Sequence, residues 1–385
     1  MRKRKKLYFP VFLAIIFAFL LGFFFIDLNE QTSKSAHPLQ QGAHEYKENT
    51  LAYKTVSKQI TLGAIGDILI HDTVYKDARI KNGYDFKPML KDVRPLLLQP
   101  DLLLANLETI VGGEKIGLSS YPRFNSPHEV ADAFKDAGVD IVSTANNHSL
   151  DKGEKGLIAS LDYLDKINLP HVGTYRSKEE QQTLTILEKN GIKVAYLAYT
   201  YGTNGIPDPK GKEYLVNLID REKMKEEIVR ARNQADVVVM SIHWGIEYQR
   251  YPSNEQKKLG QYLIDSGVDI IFGHHPHVLQ PMEWVKAKDG RNGLIVYSLG
   301  NFLSGQKRDY KDIGGMVTVD VTKTINENGT TIALSNPRFF PTYVTSRFSR
   351  NYRVVPLQDA ERHGLKNAGD IYLEIMNHMT GALNK

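Results

Sequence analysis

The chain has 385 residues, 42% hydrophobic and 24% charged, a globular composition with length for one substantial core and a small appendage. Its formal net charge of +5 is modest, and part of it sits in Arg2-Lys3-Arg4-Lys5-Lys6, so there is no case for a nucleic-acid partner. The count of 0 cysteines excludes disulfides, zinc–thiolate sites and a cysteine nucleophile.

After a basic segment at 1–6, Leu7 to Ile26 is uncharged and rich in Phe, Leu and Ile. As a helix it is long enough to cross a hydrocarbon core of roughly 30 Å. The flanking positive charges keep the start in the cytoplasm and put everything after Asp27 outside. A cleaved signal peptide shares the basic start, but the apolar run is longer than a usual signal core. The nearest small-x-small site, Ser33-Lys34-Ser35, follows a polar stretch. The expectation is an uncleaved anchor at 7–26, a polar linker at 27–58 and an extracytoplasmic domain.

From Gln59 onward, short apolar runs alternate with amphipathic segments at Pro127 to Ala137, Glu154 to Ile167, Arg221 to Asn233 and Asn254 to Ser266. That alternation predicts βαβ units and layered α/β packing over 59–305. Ser126-Pro127, Asp220 and Pro252-Ser253-Asn254-Glu255 supply helix-start chemistry. Beyond Phe302, β-branched runs at Met316 to Val321 and Thr330 to Leu334 predict antiparallel strands added at a sheet edge, with 306–385 completing the domain.

The apolar runs end in residues able to bind metal. Asp67 closes the first, Asn106-Leu107-Glu108 the second, Asn147-His148 the third and His243 a later one, and Gly273-His274-His275-Pro276-His277 follows Val268 to Phe272. In open α/β sheets the carboxyl ends of strands line the ligand crevice, so these residues converge although distant in sequence. Alternate histidines on a short extended turn can aim two imidazoles at adjacent coordination positions, and the mixed oxygen and nitrogen donors suit manganese, zinc or iron. Each residue also has a bland reading: Asp67 as a helix N-cap, Asn147 as a turn residue, Glu108 as a solvated loop acid. Their coincidence at successive strand ends is what those readings leave unexplained. Trp244 and Tyr248 are read as core cover, and Gly300-Asn301 as a tight turn.

Gly66-Asp67, Asn106-Leu107-Glu108, Ala145-Asn146-Asn147-His148-Ser149-Leu150-Asp151, His243-Trp244-Gly245-Ile246-Glu247-Tyr248, Gly273-His274-His275-Pro276-His277-Val278 and Tyr297-Ser298-Leu299-Gly300-Asn301-Phe302 together resemble the ordered motifs of the CapA (PgsA) family of bacterial capsule and poly-γ-glutamate synthesis proteins. That family is in turn similar to the calcineurin-like metallophosphoesterases. The resemblance implies an α/β fold, a four-layer αββα metallophosphoesterase-like sandwich behind an N-terminal transmembrane helix. It implies a divalent metal site, with one or two ions, at Asp67, Glu108, Asn147, His243, His275 and His277. His148, with Asp151 beside it, would be the catalytic pair that handles the leaving-group proton.

Two departures stand out. Leu69 occupies the position of a usual metal-binding histidine, with His71 further on, and the bridging aspartate of the second motif has no direct counterpart other than Asn106 or Glu108. A single ion at Asn147, His243 and His275 is therefore the expectation. The implied function is a membrane-anchored, extracytoplasmic component that handles an anionic polymer beside amide-ligase and small membrane-protein subunits. No Gly-x-x-x-x-Gly-Lys-Ser/Thr sequence is present, so ATP-driven polymerisation belongs to a partner. A free-standing metal-dependent phosphoesterase is the alternative, and whether the site turns over a substrate stays open.

Overall fold

The computed structural model describes residues 55–383. The anchor and most of the linker expected from the sequence lie outside those residues. Among the described residues no helix is long and apolar enough to cross a membrane.

Apart from a short hairpin of Arg79–Ile80 and Gly83–Tyr84, the strands are β1 (Val56–Leu69), β2 (Leu102–Asn106), β3 (Ile141–Ser143), β4 (His171–Val172), β5 (Thr185–Lys189), β6 (Ile192–Thr200) and β7 (Val237–His243). They continue as β8 (Ile270–His274), β9 (Leu279–Lys286), β10 (Asn292–Leu299), β11 (Asn301–Ser304), β12 (Ile313–Asn326), β13 (Gly329–Arg347) and β14 (Arg350–Pro356). The longer helices are α1 (Glu129–Asp136), α2 (Gly153–Lys166), α3 (Arg221–Arg232), α4 (Asn254–Ser266) and α5 (Ala368–Thr380).

These strands form two mixed sheets. The first runs β14-β13-β12-β1-β2-β3-β4, with β11 also pairing to β1, and the second runs β9-β10-β8-β7-β6-β5. In the first sheet β1, β2, β3 and β4 are mutually parallel, and β12, β13 and β14 extend it by antiparallel pairing, as the β-branched runs predict. In the second, β6, β7, β8 and β10 are parallel. The parallel strands read as unbroken apolar runs because both their faces are covered.

Side chains alternate between those two faces. Ile60, Leu62, Ala64, Leu102 and Leu104 of the first sheet meet Val194, Tyr196, Val237, Val239, Ile270 and Phe272 of the second in one core. The opposite faces carry separate cores: Leu103, Ala105 and Val142 pack on Val130 and Phe134 of α1 and Leu157 and Leu161 of α2. Val238, Met240 and Ile271 pack on Ile228 of α3 and Leu263 of α4. Helices thus flank two face-packed sheets, an α/β sandwich of four layers.

Two helix starts follow their expected chemistry. The Asp220 carboxylate accepts from the backbone N–H groups of Glu222 and Lys223, and Ser253 with Gln256 forms a capping box. Ser126 does not cap α1. That helix starts at Glu129 after His128, and the Ser126 hydroxyl lies 2.8 Å from that of Thr109.

Two glycines set how closely the strand ends approach. A Cβ on Gly66 would lie 2.0 Å from the Gly300 carbonyl oxygen, and one on Gly273 would lie 2.1 Å from that of Tyr297. Bare backbone at Gly66 lets the Asp67 N–H donate to Gly300 O at 2.8 Å, bringing the end of β1 against the start of β11.

Candidate metal centre

The carboxyl ends of β1, β2, β7 and β8 and the segments after β2, β3 and β8 meet in one buried cluster. Asp67 is 0% exposed; its Oδ1 accepts from Asn106 Nδ2 at 2.8 Å and its Oδ2 lies 3.2 Å from His277 Nδ1. Burial alone would raise its pKa, but hydrogen bonds from His274 and His277 and the charge of those rings outweigh it, holding the carboxyl well below its usual range.

Glu108 has the opposite environment. It too is 0% exposed, and neither oxygen has a hydrogen-bond partner among the described residues. Its Oε1 lies 3.4 Å from His243 Nε2 and 3.7 Å from His277 Nε2. Burial first, then the Asp67 charge, pushes its pKa well up. The solvated-acid reading of Glu108 is therefore excluded. An orphaned buried carboxylate costs the full desolvation of its oxygens unless a cation sits against it.

His243 ends β7, with Nε2 3.0 Å from Asn147 Oδ1 and its ring centroid 4.8 Å from that of His275. Burial and then the neighbouring His275 hold His243 well below the ordinary imidazole pKa, and burial with His277 brings His275 down to about 3. Both rings are thus neutral, the form that ligates metal.

The histidine run is not the extended turn expected. His275 has φ +98° and His277 φ +58°. Left-handed backbone at these two positions turns His274 and His277 toward Asp67, at 3.5 and 3.2 Å, and leaves His275 facing His243. Such strain in non-glycine residues persists where surrounding structure enforces it, which is common in functional sites.

Ligand atoms of Glu108, His243 and His275 lie within 4.8 Å of one another, and so do those of Asp67, Glu108 and His277. Glu108 belongs to both groups. Of the two candidates in the second motif, Glu108 is the one whose carboxylate reaches both groups, while Asn106 donates Nδ2 to Asp67 and keeps a buried Oδ1 without a partner among the described residues. These donors fit divalent ions: neutral imidazoles, paired carboxylates and an amide oxygen, with two carboxylate oxygens left unpaired. A third group, Glu247, His275 and His277, adds an exposed acid at the rim.

His148 stands beside this cluster, 6% exposed, with Nδ1 2.7 Å from Asp151 Oδ2 and the Phe124 ring edge-on at 4.7 Å. Asp151 also accepts from the Phe124 N–H at 2.5 Å. Its carboxylate is fully buried and reaches the surface only through the His148 ring.

Sequence reasoning missed Asn301, His274 and the tyrosine rim. Asn301 is no mere turn residue: fully buried, it presents Oδ1 3.1 Å from His277 Nδ1, while its amide donates to Gln306 and to the Lys311 carbonyl. Its position at the end of the last apolar run was the available signal. Trp244 is core, as expected, donating to the Tyr297 carbonyl at 2.9 Å. Tyr248 is not. It is 48% exposed with φ +67°, its N–H bonded to Pro276 O and its ring 6.2 Å from that of His277. Tyr201, also half-exposed, has its ring 4.6 Å from that of His275.

Residues 61–306 match the family described as bacterial capsule synthesis protein PGA_cap. The chain is 30% identical over 345 residues to the capsule biosynthesis protein CapA of Bacillus anthracis, covering 84% of this chain and 79% of that one. It is also 30% identical over 317 residues to the PGA biosynthesis protein CapA of Bacillus subtilis, covering 79% and 75%. Among solved structures, the calcineurin-like phosphoesterase YfkN of Bacillus subtilis aligns at 16% identity over 83% of this chain and 99% of that chain, with a TM-score of 0.45. Matched over most of its length by both the family and these relatives, the chain belongs to the bacterial capsule synthesis protein PGA_cap family.

Proposed function

We propose that the protein serves capsule or poly-γ-glutamate biosynthesis on the outer side of the cell membrane, held there by Leu7 to Ile26, and that it trims or releases the anionic polymer hydrolytically. The observation that carries the chemistry is Glu108, buried with both oxygens unpaired between His243 and His277. Asp67, Glu108, His277 and Asn301 would hold one divalent ion, and Glu108, Asn147, His243 and His275 a second. Ions bound there would supply Lewis acidity and activate water at neutral pH. The chain's own residues do the rest. His148 holds a proton at Nε2 for the leaving group, Asp151 fixes its ring through Nδ1, and Tyr201 and Tyr248 flank the polymer at the mouth.

A phosphoesterase is the second reading, supported by the shared carboxylate, since paired ions suit in-line displacement at phosphorus. The test is the purified full chain, assayed for metal content and then on poly-γ-glutamate and on phosphate mono- and diesters. Chain shortening of the polyamide supports the first reading, and release of phosphate alone supports the second. A protein that binds no divalent ion contradicts both.

A further inference from the structure

β13 and β14 are joined by Phe348 and Ser349, whose φ values are +51° and +57°. Two-residue hairpin turns of this kind favour Asn and Gly, and a bulky aromatic residue at left-handed φ is strained. Phe348 gains no burial in return, being 89% exposed. Arg347 and Arg350 sit opposite each other at the base of the turn. Among the described residues neither has a carboxylate within 4.0 Å, whereas the next arginine, Arg353, is paired with Asp92 at 3.2 Å. The nearby Asp77 carboxylate is occupied by the backbone N–H groups of Asn351 and Tyr352.

The hairpin also projects beyond the metal centre's end of the first sheet. Gly300 bridges Gly314, which pairs with Thr342, and Arg347 is five residues further along β13, about 17 Å at the rise of a strand.

We propose that this tip is a membrane-contact point, with Phe348 entering the interface of an anionic bilayer and Arg347 and Arg350 meeting its headgroups. A hydrophilic polyanion would engage the arginines but gain nothing from the phenyl ring, whereas a lipid interface accommodates both. Two cations and one ring bind weakly alone. The tip orients a domain already tethered near the bilayer, turning the mouth of the metal centre toward the surface from which polymer emerges. The inference rests on the anchored reading for its tether, not for its chemistry.

The test uses the full chain carrying Phe348→Trp, reconstituted with phosphatidylglycerol or phosphatidylcholine vesicles containing brominated acyl chains. Emission from Trp244 and Trp284 is subtracted using the parent protein. In phosphatidylglycerol the new tryptophan should shift to the blue and be quenched. Arg347→Gln and Arg350→Gln should each weaken that response, roughly fivefold per arginine. Water-like emission without quenching in saturating phosphatidylglycerol would overturn the proposal, as would a blue shift produced only by soluble poly-γ-glutamate. Vesicle flotation, read separately, reports the anchor, so loss of flotation and loss of quenching identify different failures.

Discussion

His243 Nε2 lies 3.4 Å from Glu108 Oε1, and that carboxylate accepts no hydrogen bond from any described residue. A ring nitrogen and an unpaired buried carboxylate this close are arranged for a shared cation. The same Glu108 oxygen is 3.7 Å from His277 Nε2, so one side chain lies against both halves of the candidate cluster.

Substitution of Glu108 should therefore act on both halves. Glu108→Gln is expected to cut metal content from two ions toward none, while His243→Ala removes one ion and leaves the Asp67–His277 half. Elemental analysis of the dialysed proteins measures this. Without metal the effect on stability should depend on pH: burial raises the Glu108 pKa, so its ionised form costs stability as pH rises, and Gln, which cannot ionise, should gain on the parent there. A Glu108→Gln protein that keeps the parent's metal content excludes the shared-ligand arrangement.

His148→Ala should retain metal and lose turnover by roughly 10²–10⁴-fold, the usual range for a positioned acid. Asp151→Asn should lose less and change the pH profile, because it disturbs the orientation of His148 and not the presence of its proton. Equal loss of metal in both variants would mean that the pair is structural.

Gly66→Ala puts a Cβ 2.0 Å from Gly300 O and 2.7 Å from Leu299 O, backbone that has nowhere to move. A cost of about 1–3 kcal/mol is expected, together with weaker metal binding as Asp67 shifts. Gly369→Ala in α5, where an added Cβ meets nothing within 4 Å, should be neutral or slightly stabilising. Thermal melts with and without metal compare the two.

Glu227 is buried against Tyr199, whose hydroxyl donates to Oε2 at 2.5 Å, and burial raises its pKa above the ordinary value. The native state thus holds this proton more tightly than the unfolded chain. Its contribution to stability is full below the ordinary glutamate pKa and falls as pH rises through the window up to the raised value. Glu227→Gln keeps an acceptor for Tyr199 and cannot ionise. It should melt with the parent at pH 4 and above it at pH 8. Parallel melting curves across that range would show that Glu227 does not titrate differently on folding.

The layered architecture was legible because its parallel strands are buried on both faces and so appear as uninterrupted apolar runs, such as Val237 to Ile242 and Ile270 to Phe272. The long helices were legible from their period and from Asp220 and Ser253. Ser126 misled because a serine before Pro127 is good capping chemistry locally, yet tertiary packing gave its hydroxyl to Thr109. Within the cluster, residue type revealed the donors but not their division. That division depends on left-handed backbone at His275 and His277, which no histidine spacing announces. Asn301 was passed over because its role is a contact with His277 across 24 residues, and local sequence reads it as a turn. Tyr248 reads as core cover because aromatics near a strand end usually pack inward, yet it and Trp244 go to opposite environments.

The separation of Asp67 and His277 by 210 residues bears on how the protein matures. Each of the three candidate ligand groups contains a residue of the second sheet's strand ends or the segments just after them, and β1 acquires its neighbour β12 only after most of the chain has been made. No early fragment can therefore capture an ion with its full set of donors. Ion uptake at such a site would be a checkpoint on completed folding, and metal supplied during synthesis would favour only chains whose two sheets have already docked.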